Sequence, residues 1–417
     1  MQTDIAYYAA LDARMVKAVS GIHLLELSSW PQSLQALFLE GVTRGVPHLP
    51  QVIYPRLDFS DARRELAMIA HQADPGHPLG RYLCDSIHSW DMAAALLESL
   101  GTSAAGDYSV QLFGVPEDTI SGTCSMTCEV ARHFIQIAQN LDHAQKLPED
   151  QVSATVMRLQ LQTDLDAFFN GRVIEVELNP DILAKAMASA HHIWLRSSAV
   201  FSDYDRAQLF HHEALVHSLT ALNGHLQPVL PSLGVSSPRT TATQEGLATF
   251  AEQITGSIDI ERLKRISLRV EAIAMARAGA DFIEVFNYFH QSGQDETESF
   301  LMAQRVFRGV PLGGGVAFTK DTVYLRGLMT VHHFFCQSLQ HDQLRRCRWL
   351  FAGKMALEDV AVFAPLFEDG TLTAPRWLPP WVSRVNGLAG MLAFSLLTNR
   401  IHVDQLNGWP NASNVVV

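Results

Sequence analysis

Apolar residues recur at intervals of three and four along most of the chain, the spacing that lines one face of an α-helix. This pattern predicts helices over residues 4–20, 31–41, 61–72, 91–100, 128–139, 180–190, 203–222, 244–255, 260–278, 281–292, 296–307, 320–339 and 382–397. Alternation with a period of two is confined to short stretches. Residues 108–113 and 172–178, the latter reading RVIEVEL, are the best strand candidates. The expectation is an α+β protein, predominantly helical with a small sheet. No internal repeat is present, so solenoid architectures are set aside. The weakest junction lies near residues 170–180. It divides a mainly helical N-terminal region, 1–175, from a region, 176–417, that carries the candidate chemistry.

Composition narrows this picture only in places. At 417 residues, 47% hydrophobic and 18% charged, the chain reads as globular with a sizeable core. A formal charge of −12 argues against nucleic acid as a partner, because phosphate binding draws on clustered Lys and Arg. The first twenty residues show helical periodicity rather than the cationic and apolar regions of an export signal. The most apolar run, residues 387–397, is too short to span a bilayer and reads as a buried helix. A cytoplasmic protein with no membrane partner is expected. Its five cysteines, which contain no CxxC pair, fit reduced and mostly buried thiols.

Candidate chemistry centres on HHEALVH, residues 211–217, inside a segment with a start signal at Ser202–Asp205 and a stop signal at Asn223-Gly224. In the common zinc-peptidase helix, HExxH, two histidines four apart share a face. Here His212 and His217 are five apart, so a regular helix separates them by about 140°. One π-turn, at roughly 4.4 residues per turn, brings them within about 50°, and a π-bulge is therefore predicted between them. In the rival geometry, a straight helix puts Glu213 and His217 on one face, with Glu213 as a ligand. Two surface histidines beside a solvated glutamate would give the same heptapeptide.

A second helix carries TQEGLAT, residues 243–249, with Thr241 and Gln244 spaced as a capping box. Glu245 lies 28 residues after His217. Two histidines and a downstream Glu make a chemically sensible zinc site with its fourth position open. An acid in a first helical turn, favoured by the helix dipole, is the plain alternative for Glu245.

Together HHEALVHSLTALNG, SPRTTATQEGLATFAE, RVFRG and FTKDTVYLRGL resemble the QEGLA-motif family, and the similarity extends upstream through LESLGTSAAGDYSVQLFGVPED. That family includes bacterial proteins named for modulating flavohaemoglobin expression and is related to the microtubule-associated tyrosine carboxypeptidases. The resemblance implies a zincin-like metallopeptidase core with one Zn2+ per chain. It makes His212, His217 and Glu245 the metal ligands and Glu213 the general base. The implied substrate is a peptide or protein C-terminus, although the overall acidity makes an acidic tubulin tail an unfavourable partner.

Such a mechanism needs a donor for the developing oxyanion, for which Tyr324 leads and His225 follows. A carboxypeptidase also needs a cation for the terminal carboxylate, with Arg308, Lys320 and Arg326 as candidates. The glycines of VPLGGGVAF allow a close backbone approach or a moving loop. His191-His192 and His332-His333 lack a carboxylate at ligand spacing and read as core or surface residues. A regulatory or binding protein that keeps a zinc site is the alternative function. A di-iron bundle is excluded, because its Glu-x-x-His motifs are missing.

Overall fold

The structure, a computed structural model, describes residues 2–141, 151–182 and 184–398. The chain opens with α1 (Gln2–Val19), the one-turn α2 (Leu24–Leu27), α3 (Ser33–Thr43), α4 (Ser60–Gln72), α5 (Pro78–Glu98), α6 (Ser103–Phe113) and α7 (Thr127–Leu141). Strand β1 (Val152–Ser153) leads into α8 (Ala154–Phe169), and β2 (Glu175–Asn179), β3 (Ala186–Ala188), β4 (His192–Arg196) and β5 (Val200–Phe201) follow. Next come α9 (Asp203–Gln208), a π-helical segment (Leu209–Ser218) and α10 (Leu219–His225). The remainder is α11 (Thr241–Thr255), α12 (Ile260–Arg277), α13 (Phe282–Gln291), α14 (Glu296–Val306), α15 (Thr322–Gln340), α16 (Asp359–Glu368), the one-turn α17 (Pro380–Ser383) and α18 (Val385–Thr398).

The protein is therefore mostly helical with small sheets, as the periodicity predicts. In the larger sheet, β4 is central: β2 pairs with it in parallel, Glu175 opposite His192, and β3 pairs with it antiparallel, Ala188 opposite Ile193. Burial alternates along β4, with Ile193 and Leu195 facing α8 and the histidine-bearing segment. Strands β1 and β5 form a separate antiparallel pair.

Three expected elements differ. Residues 108–113 belong to α6, because the buried positions Ala105, Ser109 and Phe113 follow helical spacing, and Gly114 at φ 73° ends the helix. Among the described residues of 180–190 there is no helix. Despite its alanines, this stretch supplies β3, whose backbone groups bond to β4, a case of tertiary pairing overriding propensity. The apolar stretch at residues 387–397 is helical but not buried: only Leu388 and Leu392 are covered, whereas Met391, Phe394 and Leu397 are 52%, 69% and 59% exposed. Among the described residues, no helix is long and apolar enough to cross a membrane.

Two cores grip the histidine-bearing segment from opposite sides. Leu215, Val216 and Leu219 enter a large cluster with α1, α5, α11 and α15. Leu209, Ala214 and Leu222 enter a second cluster with α8 and the sheet, which spans residue 175 without interruption. A third core packs α6 and α12–α14 around nested phenylalanines. With two faces buried, the segment has only one direction left in which to present polar side chains.

Candidate metal centre

The site is built first by the predicted helix anomaly. Ser202 and Asp205 form a reciprocal capping box that starts α9, and from Leu209 to Ser218 the chain takes π-helical hydrogen bonding before returning to α-helix. The wider turn compensates for the five-residue spacing, and the rings of His212 and His217 come to 4.9 Å between centroids. The Asn223-Gly224 stop signal has a different basis. The helix runs on to His225, and the buried Asn223 amide donates to the carbonyls of Phe351 (2.7 Å) and Trp377 (2.9 Å). A side chain at Gly224 would strike the Leu233 carbonyl.

The second helix, α11, begins as a continuation of a 3₁₀ turn capped by Ser237 and Thr240, not through a Thr241–Gln244 box. It brings Glu245 to the histidines. Its Oε2 lies 3.7 Å from His212 Nε2 and 3.6 Å from His217 Nε2, and the three ligand-type atoms lie within 4.8 Å of one another. Glu213 is not one of this trio, but its carboxylate reaches to 3.8 Å from His212 Nε2 and remains 23% exposed to the cleft.

His212 is fixed from behind. Its Nδ1–H donates to the fully buried Glu252 at 2.5 Å, and Glu252 also accepts from Arg262 at 3.0 and 3.2 Å. This bond sets the tautomer that leaves Nε2 facing Glu245. Burial works against charge on His212, but Glu245 and Glu252 outweigh it and push the imidazole up to about 10. Burial likewise opposes ionisation of Glu252, yet Arg262 and then His212 hold its carboxyl down at about 2. Burial opposes ionisation of Glu245 too, and Lys320, followed by the imidazoles, keeps it well below the usual range. Glu245 and Glu213 thus present carboxylate oxygens beside the imidazole nitrogens, a donor set of the kind that can hold a metal ion.

Compared with known protein families, residues 40–400 match the family described as microtubule-associated tyrosine carboxypeptidase. The chain belongs to that family. It is thereby a carboxypeptidase-type enzyme, and the resemblance carried by HHEALVH and QEGLA is borne out. No curated protein matches it.

The remaining candidate residues of this carboxypeptidase do not all lie together. Lys320, in the turn before α15, bonds to Glu245 Oε1 at 3.0 Å, and its ammonium sits 5.0 Å from the centroid of the Tyr324 ring. Tyr324 interacts electrostatically with Arg305, whose guanidinium grips Asp321 at 2.5 and 2.8 Å. Arg269 approaches the same aspartate at 3.7 Å. Arg308 interacts with this group, and burial, reinforced by Arg305, pushes its guanidinium down to about 10. Three arginines around one aspartate leave positive charge in excess.

Arg326 is not in this group. Two residues past Tyr324, it emerges on the other side of α15, where it bonds to Asp118 at 2.7 Å and to the Phe113 carbonyl at 2.6 Å. It lines a separate cleft of about 430 Å³ with Asp118, Arg239 and Thr243. His225, at the exposed end of α10, packs its ring against Gly234, about 12 Å along the helix from His217. The glycine loop is also packed in place: Gly315 N–H donates to the Ala276 carbonyl at 2.8 Å, and Gly314, at φ 81°, abuts Gly279. Close backbone approach accounts for Gly314 and a left-handed backbone, φ 84°, for Gly315, whereas a side chain at Gly313 would meet nothing within 4 Å.

The histidine pairs divide. His332 bonds to Ser395 and His333 to the Ser121 carbonyl, as structural residues do. His192 does have carboxylates beside it, because cross-strand pairing brings Glu175 and Glu177 within ligand distance. Glu175 is exposed, and Glu177, half-buried, already accepts from Trp194. Sequence reasoning passed over Glu252, Arg262 and Arg305. For Glu252 a signal existed: it follows Glu245 by seven residues, two turns along one face.

Proposed function

We propose that the chain is a zinc-dependent carboxypeptidase that hydrolyses the last peptide bond of a polypeptide, with tyrosine, named in the family description, as the first C-terminal residue to test. The observation that carries this reading is the convergence of His212, His217 and Glu245 with the Glu213 carboxylate beside them. Two imidazole nitrogens and one carboxylate oxygen are a donor set that suits zinc and leaves a fourth position open. A bound zinc would supply a Lewis acid for the scissile carbonyl and an acidified water.

The chain's own groups do the rest. Glu213, outside the ligand trio and open to the cleft, takes the proton from the attacking water and returns it to the leaving amine. Tyr324, whose ring lies 5.0 Å from the Lys320 ammonium that holds Glu245, supplies the phenolic O–H for the oxyanion. Arg308, together with Arg305 and Arg269, supports recognition of the terminal carboxylate. Lys320 is engaged by Glu245, and Arg326 faces another cleft. The formal charge of −12 does not describe this pocket, where cations dominate.

Metal content by mass spectrometry, on wild type beside His217→Ala and Glu245→Ala, tests the site. About one zinc per wild-type chain, lost in both variants, is expected. A metal-free wild type under zinc-replete conditions, or variants that keep their zinc, would remove the ligand set. Peptides with free and amidated C-termini then test the reaction. Release of the last residue from the free acids alone, abolished by Glu213→Gln, is the expected pattern. A zinc-loaded protein that cleaves neither leaves a binding protein instead.

A further inference from the structure

The three-stranded sheet has one covered face and one open face. Side chains alternate along β2 and β4, and Val176, Ile193 and Leu195 turn inward to the core shared with α8 and the histidine-bearing segment. Glu175, Glu177, His192 and Trp194 therefore share the opposite face. The parallel register sets Glu175 opposite His192 and Glu177 opposite Trp194. Two carboxylates and an imidazole meet there, with one ligand-type atom from each of Glu175, Glu177 and His192 within 4.8 Å of the others.

Trp194 holds two of the three. Its Nε1–H donates to Glu177 Oε2 at 2.9 Å, and its ring stacks on the His192 imidazole, with 5.4 Å between centroids and 9° between planes. A hydrogen bond of this kind orients a carboxylate as the outer partners of metal ligands do, and it leaves the remaining lone pairs of Glu177 for a cation. Among the described residues, neither glutamate forms an ion pair with a Lys or Arg. Like charges held on one face of a strand repel each other, and a divalent ion between them removes that repulsion.

We propose that Glu175, Glu177 and His192 form a second metal site, separate from the His212, His217 and Glu245 trio, which binds a divalent first-row transition ion and clips β2 to β4. One imidazole beside two carboxylates selects such an ion over calcium or magnesium, which take oxygen ligands. The open face leaves the other coordination positions to water. The clip stabilises the surface on which the histidine-bearing segment rests: β4 packs against that segment through Ile193 and Leu195, and the Ser189 carbonyl beside β4 accepts from Ser218 Oγ at 2.6 Å, one residue past His217. The inference does not depend on the peptidase reading.

The test is equilibrium dialysis of the full-length protein against cobalt(II), for wild type, Glu175→Gln and His192→Ala, with tryptophan emission followed in the same samples. Each variant is expected to hold about one cobalt per chain less than wild type, whether or not the trio is itself loaded. Cobalt should quench Trp194 in wild type, and Glu175→Gln and Trp194→Phe should each lose that part of the quenching. Circular dichroism checks that the variants are folded. Should His192→Ala fail that check, Glu175→Gln decides alone, because its exposed carboxamide keeps the shape of the side chain and removes only the charge. Equal cobalt in wild type and variants overturns the proposal. So does uptake that never saturates, which would mean an adventitious ion only. Displacement of the cobalt by an equal concentration of calcium overturns the choice of a transition ion.

Discussion

Lys320 and Glu245 form a buried ion pair, 3.0 Å from Nζ to Oε1, that assigns one carboxylate oxygen to the ammonium and turns the other toward His212 and His217. The two side chains are 11% and 14% exposed, so the pair is largely shielded from water. Removing one partner leaves a charge unmatched in the interior, which costs about 3–5 kcal/mol. Lys320→Met is therefore expected to lower the unfolding free energy of the metal-free protein by that order in urea melts. Adding zinc should recover part of the loss, because a cation again faces Glu245. Equal midpoints for variant and wild type would show that the pair contributes nothing.

Glu252 holds the far nitrogen of His212, a position where loss of the partner weakens metal sites about 10- to 100-fold. Glu252→Gln is expected to show a drop of that size in zinc affinity, read by competition with a chromophoric chelator. The variant also leaves Arg262 without its carboxylate, so its melt should be measured alongside. Unchanged zinc affinity would mean that the ring is oriented by packing alone.

Gly246, next to Glu245, is where α11 and α15 touch backbone to backbone. A methyl there would lie 2.4 Å from the Gly327 carbonyl, and one at Gly327 would lie 2.5 Å from the Ala242 carbonyl. Gly246→Ala must part the helices and carry Lys320 and Tyr324 away from Glu245. A destabilisation of about 1–3 kcal/mol, with less than stoichiometric zinc, is expected. An alanine variant that melts and binds metal like wild type would show that the crossing is more tolerant than its geometry implies.

Asp12 supplies a pH dependence independent of the metal. Burial pushes its carboxyl up to about 6, although Ser232 donates to it from both N–H and Oγ. Between the unfolded value of 3.8 and about 6 the native state holds the extra proton, so stability contributed by this group falls as pH rises through that window. The stability of wild type relative to Asp12→Asn should decline by roughly 2–3 kcal/mol between pH 4 and 7. Parallel stability curves for the two proteins would rule this out.

What could be read from the sequence is what the backbone decides locally. His212, Glu213 and His217 belong to one continuous helix, so their spacing called for a π-turn if both histidines were to share a face, and the capping signal at Ser202 needs only its own neighbours. The resemblance carried by HHEALVH and QEGLA likewise lies in contiguous residues. Residues 108–113 show the limit of this approach: YSVQLF fits either period, and docking against Thr319 decides for the helix.

Tertiary packing decided everything that depends on which face of an element meets which neighbour. Arg308 and Arg326 look alike in the sequence, but α15 turns Arg326 to Asp118, while Arg308 joins the group around Tyr324. Local hydrogen bonding fixes an element's period and its ends. The convergence of distant side chains is fixed by close packing of whole faces, here the crossing of Gly246 with Gly327 and the two cores around the histidine segment.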